Sequence, residues 1–389
     1  MAAAGFSWAD PAVAAAREQY GAARTPLGPL VLRYAQSAEL LRDPRLTTSY
    51  RYSLERAGIT SGPAYDFLTA SLLCKIGRER RRLHRQALRA STQHVITELR
   101  PLIRATAQHL AGQLAITGEA CDFMTVFADP LLKAVTCRLF GVPAQDVDRL
   151  HHLFRNDDAG LLFMHDRAQI PRIQGFLTEL TDCTESLISH HRAHPGDDPI
   201  CGLIHTQHDG LLSEEELHSV VHALLLAIWD NPFNQLRLAL TAFAQHPEQW
   251  RLLQQHPELA AQAVEEVLRW CPPAALIIRH ATEEFTYQGL HIPAGSHVFL
   301  GVHAAQRDPR AFAHADTFDI TAEQSAPLLL FGGGTTACTG TALTRATLTE
   351  ALTALTSSLG PPQITDHTAR QPTTHSTPPL LLRFGWSEI

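Results

Sequence analysis

Long stretches with helical periodicity dominate the sequence and limit its fold more than any other feature. Apolar residues recur at the spacing of a helix face over 79–115, 130–140, 170–191, 211–245 and 257–270. The first stretch breaks near Thr92, so it predicts two helices. Ser213 is followed by three glutamates, which is the pattern of a helix N-cap with acids in the first turn. The chain is therefore predicted to be mainly α-helical.

Strand-like segments are short and lie in three regions. They occupy 27–34 near the start, four pieces between 277 and 302, and 380–384 near the end. No internal repeat or low-complexity tract divides the chain, and the Pro- and Thr-rich segment 360–379 is interpreted as a loop. We predict a single domain over residues 1–389, mainly α with small peripheral β-sheets.

Composition excludes several classes of protein. The chain is 45% apolar and 18% charged, which excludes a disordered chain and a coiled coil. Its net charge of −7 gives no overall electrostatic reason to bind nucleic acid or an anionic membrane. The seven cysteines are scattered without a C-x-x-C motif, which argues against a disulfide scaffold and a cysteine-built zinc site. We therefore expect a soluble, cytoplasmic protein.

The sharpest local feature is a glycine-rich loop that ends in a cysteine, Phe331-Gly-Gly-Gly-Thr-Thr-Ala-Cys338-Thr-Gly340. The glycines permit positive φ angles and let the backbone approach a large, flat group. A helix-forming run begins after Cys338, so backbone N–H groups and the helix dipole would stabilise its thiolate. Such a thiolate is a good axial ligand to iron. The alternative is a phosphate-binding loop, but the lysine of a P-loop is missing.

The pattern F-G-x-G-x-x-x-C-x-G resembles the heme-binding loop of cytochrome P450. Further segments resemble that family in the same order: L-x-D-P-R within 40–46, E-x-x-R at 266–269, P-A-G at 293–295, and Q-R-D-P with its following phenylalanines within 306–319. The resemblance spans roughly residues 30–385. It implies the triangular, helical heme-thiolate fold and heme b as cofactor. It also implies Cys338 as the metal ligand, with Phe331 shielding the sulfur and Gly332, Gly334 and Gly340 shaping the loop.

The E-x-x-R motif can also be interpreted from helix geometry. Glu266 and Arg269 are three residues apart, so they share one helix face and can pair. Within this family the pair is structural and holds its helix against the cysteine loop, whereas a solvated surface pair would contribute little. The family usually adds a third partner at the position of Thr317, so the group looks incomplete.

The resemblance also places the residues that bind the heme propionates. A His and an Arg four residues later are usual, and here Arg80 and His84 stand in swapped order. Arg279 and Thr336 occupy two further positions that commonly donate to the cofactor. The neighbouring arginines form either a solvated basic face or a docking surface for an acidic ferredoxin; they are Arg81, Arg82, Arg85 and Arg89.

The distal helix departs from its family. Where A-G-x-[DE]-T is usual, this chain has Ala227-Ile-Trp-Asp-Asn-Pro232. Asp230 and Asn231 are the catalytic candidates, but an amide is a poor proton carrier compared with the usual threonine hydroxyl. Ile228 should narrow the groove that a glycine opens, and Pro232 should kink the helix. We expect proton delivery during dioxygen activation to be poor.

Three interpretations of function remain open. The first is a monooxygenase that hydroxylates, couples or cyclises a hydrophobic or aromatic secondary metabolite, with a ferredoxin and ferredoxin reductase as partners. The second uses an oxidant carried by the substrate, such as a hydroperoxide or an activated N–O bond, for rearrangement or for oxene or nitrene transfer. The third is a non-catalytic module that binds heme or a carrier protein.

The substrate pocket is expected to be lined by the segments 46–76, 161–165, 224–232 and 274–278. The candidate contact residues are Leu224, Ala227, Ile228, Trp229, Pro232, Ala275 and Ile277. Because most of these side chains are apolar, we expect the substrate to be hydrophobic or aromatic.

Overall fold

The computed structural model describes residues 7–8, 10–48, 50–56, 58–89, 92–155, 167–365 and 380–385. The predicted substrate segment 161–165 and most of the predicted loop 360–379 lie outside these residues. No helix within the described ranges is long and apolar enough to span a membrane.

The α-helices are α1 (Pro11–Tyr20), α2 (Tyr34–Leu40), α3 (Tyr50–Arg56), α4 (Pro63–Ala70), α5 (Gly77–Arg89), α6 (Gln93–Thr117), α7 (Asp129–Leu139), α8 (Val147–Arg155), α9 (Ile170–Ala193), α10 (Pro199–His208), α11 (Glu214–Gln245), α12 (Pro247–Gln255), α13 (Ala260–Trp270), α14 (Val302–Ala305) and α15 (Thr341–Ser358). The strands are β1 (Ala22–Thr25), β2 (Gly28–Val31), β3 (Leu46–Thr48), β4 (Cys121–Asp122), β5 (Ile277–Ala281), β6 (Phe285–Tyr287), β7 (Leu290–Ile292), β8 (His297–Leu300), β9 (Pro362–Ile364) and β10 (Leu381–Phe384). The prediction of a mainly helical fold with small sheets is confirmed.

Two compact units make up the chain: Met1–Ser49 with Ala261–Cys338, and Tyr50–Ala260 with Thr339–Ile389. The first unit contains a five-stranded sheet in the order β1-β2-β8-β5-β3. All neighbours in it are antiparallel except β2 and β8. A buried apolar cluster that includes Val31, Leu40, Val298 and Leu300 packs this sheet against α2. The sheet gives Arg279 on β5 a fixed position between Thr48 and Val298.

The second unit is built around long helices. α15 packs along α6, and α7 lies against both α6 and α11. α11 begins at the predicted N-cap, because the Ser213 hydroxyl accepts from the Glu216 N–H and the Glu216 carboxylate accepts from the Ser213 N–H. The helix then continues through Pro232 to Gln245. A small sheet in the order β4-β10-β9 completes this unit.

The predicted helices agree with the observed ones to within a few residues. The break at Thr92 is confirmed, since the Thr92 side chain caps α6. The predicted strand 27–34 contains β2, but its antiparallel partner β1 lies before it and was not predicted. The strands β3, β4 and β9 were also missed, because they have two or three residues each and depend on partners far away in the chain. The prediction of one domain over residues 1–389 stays a prediction.

Candidate active site

Glu266 and Arg269 form a buried ion pair near the end of α13. Arg269 Nε and Nη2 donate to the two carboxylate oxygens of Glu266, each at 2.7 Å. Glu266 is 0% exposed and Arg269 is 3% exposed. A bidentate pair with this burial is structural rather than a solvated surface pair.

Further hydrogen bonds satisfy the groups of this pair. Arg269 also donates to the carbonyls of Gln306, Ala315 and Thr317. The backbone of Thr317 thus contacts the arginine at the position where the family usually places a polar side chain. Glu266 accepts from the Asp319 N–H and from Gln324 Nε2 at 3.1 Å. Gln324 therefore supplies a side-chain partner that the sequence analysis did not find.

Gln306 connects the end of α13 to the chain that leads into the cysteine loop. Its amide nitrogen donates to the carbonyls of Leu268 and Arg269. Its amide oxygen accepts from the N–H groups of Leu329 and Leu330. Since Gln306 is fully buried, these bonds fix the start of the loop. The sequence signal was its place at the head of Q-R-D-P, although no role was predicted for it.

The cysteine loop has the backbone geometry that its glycines predicted. Gly332 has φ of +71°, and a Cβ placed on it would lie 2.9 Å from the Thr336 carbonyl oxygen. The loop closes through the Cys338 N–H, which donates to the Phe331 carbonyl at 2.8 Å. The Cys338 side chain is exposed, and α15 starts three residues later at Thr341. The cysteine thus precedes a helix N-terminus, whose backbone N–H groups favour a thiolate.

Arg279 and Thr336 meet in the first unit. Arg279 Nη2 donates to Thr336 Oγ1 at 2.7 Å, and Thr336 Oγ1 donates to the Gly333 carbonyl at 2.9 Å. Arg279 is only 7% exposed. The structure therefore brings together two of the residues predicted to bind the propionates.

Arg80 and His84 lie one turn apart on α5 in the second unit. Arg80 is 8% exposed and donates to the Leu72 carbonyl at 2.5 Å. Burial lowers the pKa of its guanidinium below the usual range. His84 is half-buried. A buried cation of this kind suits a carboxylate partner.

The neighbouring arginines of α5 fall into two groups. Arg82 forms an ion pair with Glu216 and donates to the Leu211 carbonyl, and Arg89 donates to Thr206 Oγ1. These two residues therefore join α5 to its neighbours and are not part of a wholly solvated face. Arg81 and Arg85 are exposed. Both a solvated basic face and a docking surface for a ferredoxin require such exposure.

One cavity of the second unit brings the distal helix together with the helix that follows the cysteine. Its lining residues come from α7, α11 and the start of α15: Leu132, Val135, Leu139, Phe140, Leu224, Ala227, Ile228, Pro232, Thr339, Gly340, Leu343, Thr344 and Thr347. Four predicted substrate contacts and the predicted loop residue Gly340 are therefore in one place. The walls from α7 and α15 were missed, because nothing local in their sequence distinguishes them from ordinary core residues.

The remaining distal residues are placed as follows. Asn231 is exposed, and Pro232 is buried within α11 and lines the cavity. The backbones of Trp229 and Asp230 belong to α11. In the first unit, Ile277 packs partly against the buried cluster of the sheet, and Ala275 is half-buried before β5.

Comparison with known proteins gives a consistent result. The family model described as Cytochrome P450 matches residues 55–359. The luteothin monooxygenase of Streptomyces thioluteus is 42% identical, over 92% of this chain and 88% of that protein. The nocardicin C N-oxygenase of Nocardia uniformis subsp. tsuyamanensis is 31% identical, over 84% and 80%. The crystal structure of CalO2 matches with a TM-score of 0.86 and 25% identity, covering 97% of this chain and 95% of that one.

The fold and the cysteine loop define a heme-thiolate oxidoreductase, and the chain belongs to the cytochrome P450 family. It is an enzyme with heme b as its cofactor. The residues present fit that group. Cys338 is exposed at the end of the glycine loop, its thiolate is a good axial ligand to iron, and the cavity beside Gly340 has mostly apolar walls.

Proposed function

We propose that this cytochrome P450 hydroxylates, oxidatively couples or cyclises a hydrophobic or aromatic secondary metabolite. The observation that carries the proposal is the cavity in which α11 and α15 meet, because apolar side chains such as Leu224, Ile228 and Leu343 form most of its wall. The similarity to a luteothin monooxygenase supports it and makes luteothin the first compound to test. A ferredoxin and its reductase are the electron donors that this chemistry needs.

The heme, when bound, supplies the one-electron and dioxygen chemistry. Cys338 holds its iron through the sulfur, and the N–H groups that follow in the chain keep that sulfur a thiolate. Arg80, His84 and Arg279 donate to the propionates, for which charge-assisted hydrogen bonds are well suited. The buried pair of Glu266 and Arg269 stabilises the position of α13. The hydrogen bonds of Gln306 connect the end of α13 to the start of the cysteine loop.

Of the distal residues, Ile228, Asn231 and Pro232 position the substrate, whereas Asp230 carries protons. Ile228 and Pro232 line the cavity on the α11 side. The Asn231 amide can donate to and accept from a polar group of the substrate. In this proposal Asp230 carries a proton in the catalytic cycle, and the substrate or an ordered water completes the path that a threonine usually provides.

A second candidate function is chemistry driven by an oxidant that the substrate carries. The specific observation is the wall of the cavity, where Ile228 stands at the position of the usual glycine and Pro232 follows on the same helix. Under this alternative Asn231 orients the leaving group through its amide, and Asp230 is structural. A hydroperoxide or an activated N–O bond would define the substrate class.

A single-turnover assay separates the two candidates. The purified ferric enzyme is mixed with luteothin, other apolar metabolites or hydroperoxides, with and without reduced ferredoxin and dioxygen. Product that forms only when both electrons and dioxygen are present supports the monooxygenase. Product that forms from the ferric enzyme without either one supports the oxidant-carrying substrate and overturns the first proposal.

A further inference from the structure

Three potential metal ligands converge in the second unit, where α9 ends and α10 begins. They are His191, Asp198 and Cys201, and their ligand atoms all lie within 4.8 Å of one another. His191 is 4% exposed and Cys201 is 3% exposed, whereas Asp198 is half-buried. None of the three belongs to the proposed heme or substrate site.

The backbone decides which imidazole nitrogen of His191 is available. Nδ1 lies 2.8 Å from the Leu187 carbonyl oxygen, which can only accept a hydrogen bond. Nδ1 therefore carries the proton, and Nε2 of the neutral ring presents a lone pair. Nε2 lies 3.4 Å from Asp198 Oδ2. A lone pair thus points at a carboxylate oxygen in a largely buried place.

Backbone N–H groups also orient the other two ligands. Asp198 Oδ1 accepts from the N–H groups of Ile200 and Cys201, so Oδ2 is the oxygen turned toward His191. The Gly196 N–H donates to Cys201 Sγ at 3.1 Å. A donor of this kind stabilises a thiolate, and fixed outer partners of this kind are typical of metal ligands.

An imidazole nitrogen, a carboxylate oxygen and a cysteine sulfur are ligand types that Zn²⁺ takes in proteins. A proton between His191 Nε2 and Asp198 Oδ2 would join those two groups, which are 3.4 Å apart. A metal ion would use all three ligand atoms, which lie within 4.8 Å of one another.

Glycine keeps one side of the cluster open. Gly141 has φ of +57°, and a Cβ placed on it would lie 2.7 Å from His191 Nε2 and 3.6 Å from Asp198 Oδ2. The side chain of any other residue at position 141 would clash with His191 Nε2, the nitrogen that is available for coordination. The absence of a side chain leaves room beside the two ligand atoms.

We propose that His191, Asp198 and Cys201 bind one Zn²⁺ ion, with water as the fourth ligand. At bond lengths of about 2.3 Å to sulfur and about 2.0–2.1 Å to nitrogen, tetrahedral ligand atoms lie about 3.3–3.6 Å apart. The pair of His191 Nε2 and Asp198 Oδ2 is already at that spacing, at 3.4 Å, and binding would draw the third atom in from within 4.8 Å. The Cys201 thiol releases its proton to solvent as the Zn–S bond forms. The site contains one cysteine, so it is not the cysteine-built zinc centre that the sequence excluded.

The test uses the heme-loaded enzyme with its affinity tag removed. The enzyme is incubated with Zn²⁺, desalted, and analysed for zinc content and for zinc-edge X-ray absorption. One zinc ion per chain is expected, with one sulfur ligand. Cys201→Ala and His191→Ala should weaken zinc binding by more than the about 10–100-fold that loss of an outer partner costs. The controls Cys183→Ala on α9 and His194→Ala should bind zinc like the unchanged enzyme.

A second measurement keeps the test decisive if a variant folds poorly. A chelator added to the unchanged, zinc-loaded enzyme should lower its thermal midpoint, and restored Zn²⁺ should return it. Heme content and the ferrous–CO spectrum report whether each variant is folded. Zinc that washes out on desalting, or a zinc-edge spectrum without sulfur, would overturn the proposal and leave a protonated His191 paired with Asp198.

Discussion

Arg279 on β5 donates a hydrogen bond to the hydroxyl of Thr336 in the cysteine loop at 2.7 Å. The strand and the loop are 57 residues apart in the sequence, yet the bond fixes both side chains within one unit. Thr336 stands where the family often has histidine. The bond therefore orients a buried arginine beside the cysteine loop.

We expect Arg279→Leu and Arg80→Leu to lower heme retention. Each charge-assisted hydrogen bond to a propionate contributes about 1.5–3 kcal/mol, so heme affinity should fall by about 10–100-fold. Heme transfer to apomyoglobin measures the loss. Arg81→Leu is the matched control, because Arg81 is exposed on the same helix as Arg80. Arg82 is a poor control, since it pairs with Glu216. Equal retention in Arg80→Leu and Arg81→Leu would show that the register of α5 is mistaken.

Glu266→Gln should destabilise the protein strongly. It leaves the buried Arg269 without its charged partner, and breaking such a pair costs about 3–5 kcal/mol. Denaturant unfolding followed by circular dichroism gives the change in midpoint. The exposed pair of His94 and Glu98 supplies the control, since Glu98→Gln should change stability by less than about 0.5 kcal/mol. A similar, small effect of both substitutions would contradict a structural role for the pair.

Gly332→Ala should weaken heme binding through the loop backbone. The new Cβ would lie 2.9 Å from the Thr336 carbonyl, at a φ that only glycine adopts without strain. Heme content after purification and the thermal midpoint report the effect. Gly112 in the middle of α6 has open space around it, so Gly112→Ala should be neutral or stabilising by up to about 1 kcal/mol. Full heme content in Gly332→Ala would refute the argument.

Asn231→Thr alone should not improve the coupling of NADH oxidation to product. Ile228 and Pro232 remain in the wall of the cavity, and the substitution changes neither of them. With surrogate redox partners and non-native substrates we expect slow turnover with much peroxide in both proteins. Peroxide yield per NADH is the measurement. A large gain in coupling from this one substitution would show that the missing threonine hydroxyl alone accounts for the poor coupling.

The sequence predicted those parts of the site that depend on local patterns. The pairing of Glu266 with Arg269 follows from helix spacing, and the positive φ of Gly332 follows from a glycine run. The contact of Gln324 with Glu266 was not predictable, because it joins residues 58 positions apart through tertiary structure. For the same reason β4 was missed, since two residues form a strand only when β10 pairs with them.

Thr317, which differs from the residue usual in the family, shows a second limit of prediction from sequence. Comparison of side-chain types made the ion-pair group look incomplete, but Arg269 contacts the backbone carbonyl of Thr317, which every residue has. The pairing of Arg82 with Glu216 shows the same limit on α5, where the run of arginines predicted either a solvated face or a docking surface. Charge patterns identify a face of a helix, whereas tertiary packing decides which of its residues form ion pairs or hydrogen bonds with neighbouring elements.

The central claim is that the thiolate of Cys338 is the ligand of the heme iron. The most direct measurement is the absorption spectrum of the reduced, CO-treated enzyme with each of the seven cysteines replaced singly by alanine. We predict the long-wavelength band of thiolate-ligated heme in the unchanged enzyme and in the other six variants, and its complete loss in Cys338→Ala. A Cys338→Ala variant that kept the band, or a second cysteine whose replacement abolished it equally, would contradict the account.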